Sequence, residues 1–260
     1  MIKNLPLKKF SIRAITTLLV LIIIWVVGST YLFLTASSKV FLNERSKSLD
    51  FVNSQRAFVR NDKGQNIEIL MNKKAGSNDV VLYLHGNAGR TPVVFNGLSK
   101  YATTVSPSYP GYSQSEGEPN TKNVYETAEI GFKWILDQGY KEEQIIVLGH
   151  SMGGSPAVYL ASKHKNIKKL VLVNTFSSIQ SMCFRSYSIL CAFGGSMLNS
   201  YENAKNVEAK VRQFHYQGDD TVPFDEGKKL FEGFKTSDKK FTTLSGETHN
   251  VFDIQTVLKD

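Results

Sequence analysis

The sequence predicts an α/β protein: a mostly parallel, doubly wound sheet preceded by one apolar helix. Three observations carry that expectation. From residue 79 to the end, short runs rich in Val, Ile and Leu alternate with segments of helical period, the pattern of repeated β-α-β units. One run, residues 145–148, leads into Gly149-His150-Ser151-Met152-Gly153-Gly154, a glycine-flanked serine between a strand and a helix-compatible stretch. Ahead of the alternating region, residues 14–38 form 25 consecutive positions without a charge.

Charge narrows the function classes. The 260 residues carry a net charge of +8, but five basic residues and no acidic ones precede Glu44, which leaves a balance of only +3 in the remainder. The excess belongs to the N-terminus, and no basic stripe interleaved with aromatics follows, so the sequence argues against a nucleic-acid partner. The two cysteines, Cys183 and Cys191, are too few for a disulfide scaffold or a zinc cluster, although they can pair in an oxidising compartment.

In chain order, residues 1–13 form a basic terminus with Lys3, Lys8, Lys9 and Arg13. Residues 14–36 are apolar over the roughly 20 positions that cross a hydrocarbon layer of about 30 Å. Basic residues before such a span predict a cytoplasmic N-terminus and a C-terminal domain on the far side, periplasmic or extracellular. A cleaved signal peptide with a small-residue site near Ala36 and Ser38, releasing a secreted domain, is the alternative; its apolar core is longer than usual for that role. Residues 37–54 read as a juxtamembrane connector and residues 55–260 as one globular domain.

Within that domain, residues 57–60 and 67–71 read as a hairpin joined at Asn61-Asp62-Lys63-Gly64. Residues 79–84, Asp-Val-Val-Leu-Tyr-Leu, are nearly continuously apolar, as in a strand buried on both faces, and end in His85-Gly86-Asn87-Ala88-Gly89. Helices are expected over 92–100, 124–138, 153–163, 225–234 and 251–259, and strands over 102–105, 145–148, 169–173, 211–216 and 240–244. Residues 176–204 exceed a simple crossover and hold Phe184, Tyr187, Ile189, Leu190, Phe193 and Met197. They can roof an apolar pocket as a small lid or simply pack on the sheet.

Chemistry enters at Ser151. A serine at the apex of a sharp strand-to-helix turn leaves no room for side chains two positions either side, and Gly149 and Gly153 occupy those positions. A serine hydroxyl at neutral pH needs a base, and the base needs an acid to fix its tautomer. After the strand at 211–216 comes Asp219-Asp220, and after the strand at 240–244 comes Gly246-Glu247-Thr248-His249-Asn250. Of the five histidines, His249 alone follows the terminal strand in a glycine-containing loop; His150 is expected to pack, His85 to hold its own turn, His164 to be solvated and His215 to be a satisfied core residue. Backbone amides of Met152 and Asn87 are the expected oxyanion donors. Asn87's own side chain is expected to assist there or to cap the following turn.

Six ordered motifs now carry a resemblance. They are Tyr83-Leu84-His85-Gly86-Asn87-Ala88-Gly89, the loop from Tyr109-Pro110-Gly111-Tyr112-Ser113 to Glu118-Pro119, Gly149-His150-Ser151-Met152-Gly153-Gly154, Asn174-Thr175-Phe176-Ser177-Ser178, Asp219 with Val222-Pro223, and Gly246-Glu247-Thr248-His249-Asn250. Residues 78–260 resemble the α/β-hydrolase superfamily, and within it the membrane-anchored group of the bud-emergence (Bem) type, related to protein depalmitoylases and prolyl-oligopeptidase-like hydrolases. The resemblance implies an α/β-hydrolase fold and a serine hydrolase that cleaves carboxylic esters or thioesters of acyl or lipid type through an acyl-enzyme, with no metal and no organic cofactor. In that family the acid stands three residues before the valine of Val-Pro, which puts it at Asp219; Asp220 stays open because the preceding glycine is displaced. Two departures are visible: Ser113 stands where a glycine is usual, and Tyr216 where a glycine often precedes the acid loop.

The implied partners are a small-molecule or lipid acyl ester and, through residues 14–36, a membrane. Two rivals belong to other classes. A prolyl-oligopeptidase-like peptidase shares the serine turn and would cleave amides; a catalytically silent hydrolase-fold binding module at the membrane would be expected to lack a member of the Ser-Asp-His set.

Overall fold

A computed structural model describes residues 12–41, 51, 54–187, 197–246 and 248–259. Among the described residues, eight strands form one sheet in the order β1-β2-β4-β3-β5-β6-β7-β8. β1 (Gln55–Arg60) and β2 (Asn66–Asn72) are the expected hairpin, and β2 runs antiparallel to β4 (Thr103–Pro107). From β4 onward every pairing is parallel, through β3 (Val80–Leu84), β5 (Ile145–His150), β6 (Lys169–Val173), β7 (Val211–Tyr216) and β8 (Lys239–Leu244). Turn chemistry starts the sheet: Gly64 takes φ +76°, and Asn61 Oδ1 accepts from the amides of Lys63 and Gln65.

Burial on both faces explains why the central strands are apolar without alternation. Val80, Leu82 and Leu84 of β3 join the core on one face, while Val81 and Tyr83 join the core on the other. β5 and β6 divide the same way, Val147 and Leu172 to the first face, Leu148 and Val171 to the second. Helices α3 (Thr121–Asp137), α4 (Gly154–Lys163), α6 (Ser200–Ala204) and α7 (Phe224–Gly233) cover the first face through Phe132, Leu160, Ala204 and Leu230. α2 (Pro92–Leu98) and α8 (Ile254–Lys259) cover the second through Phe95, Leu98 and Val257. Pro92 opens α2, where its missing N–H costs nothing.

The N-terminal helix α1 (Ile12–Val40) runs past the expected end of the apolar segment at Ala36. Its stretch Ile12–Tyr31 is long and apolar enough to cross a membrane, and Leu18, Ile23 and Val27 are exposed on it. α5 (Ile179–Tyr187) and α6 occupy the region between β6 and β7. Ile189, Leu190, Cys191 and Phe193 lie outside the described residues, as does Glu247, and the side chains of Phe184 and Tyr187 are likewise not described. Cys183 is disulfide-bonded.

Candidate active site at the carboxyl ends of the strands

The serine turn is tighter than its spacing alone implies. Ser151 sits at φ +52°, strained for a residue with a Cβ, and one 3-10 turn, Ser151–Gly153, precedes α4. A Cβ on Gly149 would lie 2.6 Å from the Gly153 carbonyl oxygen, and one on Gly153 would lie 2.0 Å from the Leu84 carbonyl oxygen. Both obstacles are backbone, so neither position admits a side chain without moving the strand. Gly154 is equally confined, its Cβ position 2.0 Å from Thr175 Oγ1.

The structure brings Ser151, His249 and Asp219 into one hydrogen-bonded chain. His249 Nε2 lies 2.9 Å from Ser151 Oγ, and His249 Nδ1 lies 2.7 Å from Asp219 Oδ2. A carboxylate only accepts, so the proton is on Nδ1 and Nε2 is free to accept from the serine hydroxyl. Asp219 Oδ1 accepts from the amides of Thr221 and Val222, each at 2.9 Å. Burial pushes the Asp219 carboxyl up, but the His249 and Val222 hydrogen bonds and the nearby imidazole outweigh it and hold the acid below its ordinary range. Asp220, by contrast, is exposed and accepts from Thr221 Oγ1. Of the two carboxylates, Asp219 is the one that touches His249.

The remaining histidines separate by environment. His150 packs 5.3 Å from the His249 ring, and its Nε2–H donates to the His249 carbonyl at 2.8 Å. His85 donates from Nδ1 to Gly86 O at 2.8 Å, holding its own turn. Burial lowers His150 to about 4 and His85 to about 3, so both are neutral rings. His215 departs from expectation: Nε2 bonds Val222 O at 3.0 Å, but Nδ1 has no hydrogen-bond partner among the described residues. His164 keeps part of its surface in solvent but has specific partners. It lies against Phe132 at 4.0 Å, 2.9 Å from Glu129, and the Glu129 and Glu142 carboxylates raise its pKa, the Glu129 hydrogen bond first.

Several residues without an individual role in the sequence reading hold this chain together. Asn174, at φ +49° after β6, donates to the carbonyls of Thr248 (3.2 Å) and His249 (3.0 Å) and accepts from Tyr216 N. Thr175 Oγ1 donates to Ser151 O at 2.7 Å. The Asn174-Thr175 pair thus grips both the serine turn and the histidine loop. An Asn in the left-handed region at a strand's carboxyl end is the signal that could have found it.

Facing Ser151 is the loop 86–90. A cavity of about 230 Å³ lies between, lined by Gly86, Asn87, His150, Ser151, Thr221 and His249 among others. Arg90 anchors the loop's far end in a buried ion pair, 2.5 Å from Glu68, and also donates to Ser106 O. Asn87 Oδ1 accepts from Tyr112 OH at 2.6 Å, and Asn87 Nδ2 donates to Val40 O at 2.6 Å, so its side chain bridges two distant segments rather than capping the next turn. Met152 is 2% exposed in an apolar cluster with Phe176 and Val222. Ser113, where the resemblance would have a glycine, takes φ +50°.

Comparison with known proteins agrees with this architecture. The chain is 27% identical over 197 residues to protein bem46 of Schizosaccharomyces pombe, covering 70% of this chain and 65% of that protein. It is 28% identical over 190 residues to the lysophosphatidylserine lipase ABHD12 of Danio rerio, covering 60% of this chain and 47% of that protein. The chain therefore spans less than two thirds of the length of either relative. Among solved structures, the Pyrococcus furiosus esterase Pf2001 superposes with a TM-score of 0.61 at 18% identity, over 76% of this chain and 82% of that one. A family model described as the alpha/beta hydrolase fold matches residues 79–213, from β3 through the serine turn and into β7. With the sheet order, the glycine-confined serine turn and these relatives in agreement, the chain belongs to the α/β-hydrolase family, in the company of the Bem-type hydrolases.

Proposed function

We propose that the chain is a serine hydrolase that cleaves an acyl ester or thioester through an acyl-enzyme. The observation that carries the reading is the unbroken hydrogen-bonded chain from Ser151 through His249 to Asp219. Ser151 Oγ attacks the carbonyl carbon while its proton passes to His249 Nε2. Asp219, which stays ionised, stabilises the imidazolium and keeps the ring oriented. Backbone amides of Met152 and Asn87 receive the oxyanion. As the tetrahedral intermediate collapses, the bond to the alkoxide or thiolate breaks and the leaving group takes the proton from His249. Water then repeats the sequence on the acyl-enzyme, giving up a proton to His249 and releasing the acid and the free serine.

The same reading makes α1 a membrane anchor with the hydrolase domain on its far side. The disulfide at Cys183 supports an oxidising compartment for that domain. Beyond Tyr31, the nine helical residues to Val40 add about 14 Å at 1.5 Å per residue, so the site stands close to the end of the span. That short reach, and the apolar cluster around Met152, favour an amphiphilic acyl substrate held at the bilayer surface.

The test is turnover of a p-nitrophenyl ester series from acetate to palmitate by the full chain in detergent, beside Ser151→Ala. Turnover by wild type with an optimum at long chains, abolished in the variant, supports the reading. Equal release by wild type and Ser151→Ala, or none by a folded wild type, overturns it.

A further inference from the structure

The anchor helix does not end clear of the site. The last carbonyls of a helix lack intrahelical partners, and α1 gives one of them, Val40 O, to the Asn87 side chain at 2.6 Å. Phe41 follows and is 2% exposed in the apolar cluster that also holds Tyr109, Tyr112, Met152, Phe176 and Val222. The two residues assigned as oxyanion donors are therefore both tied to the end of α1, Asn87 by a hydrogen bond and Met152 through shared packing. Elsewhere the loop is held at its ends: His85 braces the start and Arg90 the finish, while Gly89 takes φ +83° between them. The middle of the loop, at Asn87, leans on Tyr112 OH and on Val40.

We propose that the end of α1 is a positioning element of the reacting site. Val40 and Phe41 hold the Asn87 loop where its amide faces the developing oxyanion, so the membrane helix and the hydrolase domain act as one unit. Misplacing such a donor by a fraction of an ångström weakens the transition state while leaving ground-state binding nearly intact. The proposal rests on Ser151 being the nucleophile.

The test compares full-length wild type, Phe41→Ala, Phe41→Leu and Asn87→Asp in detergent. Two readouts are taken: kcat and KM for p-nitrophenyl acetate, and hydrogen–deuterium exchange in the peptide spanning residues 86–90. Phe41→Ala is expected to lower kcat by roughly tenfold to a hundredfold with KM within about threefold, and to speed exchange of the loop. Phe41→Leu restores most of the rate. Asn87→Asp, which still accepts from Tyr112 but cannot donate to Val40 O, loses kcat to a similar extent. Wild-type kcat in both Phe41→Ala and Asn87→Asp, or loop exchange unchanged by Phe41→Ala, overturns the proposal. A wild type that turns over no ester overturns the hydrolase reading instead, and the exchange comparison then still decides whether α1 holds the loop.

Discussion

The turn beneath Ser151 and the loop facing it, residues 86–90, both line the same small cavity, yet different forces hold them. The turn is confined by its own neighbours: Gly149, Gly153 and Gly154 sit where a single methyl group would strike Gly153 O, Leu84 O or Thr175 Oγ1. The loop is held by partners from far along the chain, with Asn87 bonded to Val40 and Tyr112, and Arg90 bonded to Glu68 and Ser106. Local steric confinement makes a geometry that survives surface changes. Long-range tethers make one that can be loosened a single bond at a time.

On the proposed function, the largest effects belong to the Ser151, His249 and Asp219 chain. Ser151→Ala, His249→Ala and Asp219→Asn should each lower ester turnover by on the order of 10⁴-fold or more with unfolding midpoints near wild type. Asp220→Asn should stay within about threefold; a comparable loss there would move the acid to Asp220. Next comes the confined turn: Gly153→Ala should destabilise the fold by about 3 kcal/mol, read by urea unfolding, because the obstacle is strand backbone that cannot yield. An unchanged midpoint would mean that the turn is looser than its contacts imply.

Asn174 lies between the two regimes, a local strain used for a distant grip. Asn174→Gly keeps the left-handed backbone free of strain and removes only the bonds to Thr248 O, His249 O and Tyr216 N. Turnover is expected to fall by roughly tenfold to a hundredfold at nearly constant KM, since a misplaced base harms the transition state more than binding. A rise in KM at constant kcat would place Asn174 in substrate binding instead.

The buried rings give the pH dependence. His150 and His85 are lowered to about 4 and about 3 by burial, from an ordinary value of 6.5, so each stays neutral in the fold over a range where the unfolded chain takes up a proton. The unfolded state then binds more protons below pH 6.5, and stability falls as pH falls toward those depressed values. At pH 4.5 the two together should cost roughly 5 kcal/mol relative to pH 7. His150→Gln, whose amide can still donate to His249 O, should remove about half of that loss in urea unfolding. An unchanged pH slope would show that His150 ionises freely.

The smallest effect concerns Ser113. Its φ of +50° is costly for a residue with a Cβ. Ser113→Gly relieves that strain and should stabilise the fold by about 1 kcal/mol in urea unfolding, whereas Ser113→Ala keeps it and should stay within about 0.5 kcal/mol of wild type. Equal midpoints for the two variants would mean that the left-handed backbone costs nothing there.

The same contrast explains what was legible in the sequence. The central strands could be read because burial on both faces leaves uninterrupted apolar runs, and the serine turn because its confinement is written two residues either side of Ser151. Asp219 and His249 were legible as loop residues after successive strands; the choice of Asp219 over Asp220 leaned on resemblance, and in the fold it is Asp219 that lies against His249 Nδ1. Asn174 bonds His249 across 75 positions and Asn87 bonds Val40 across 47, and no local spacing encodes either contact. His164 is partly exposed, as its neighbours Lys163 and Lys165 suggest, but nothing local shows that the fold lays its ring on Phe132 between two carboxylates. Residues 37–54 read as a plain connector, yet helix continues to Val40 and Phe41 is buried beside the serine turn. A polar surrounding sequence concealed that single anchoring aromatic.

The most direct measurement is intact mass of the full chain after reaction with a fluorophosphonate, followed by mapping of the modified peptide. A prepositioned serine with its base predicts one adduct per chain, on Ser151, formed by wild type and Asp220→Asn and absent from Ser151→Ala and His249→Ala. A folded wild type that gains no adduct, or one that carries it on another residue, would contradict the account.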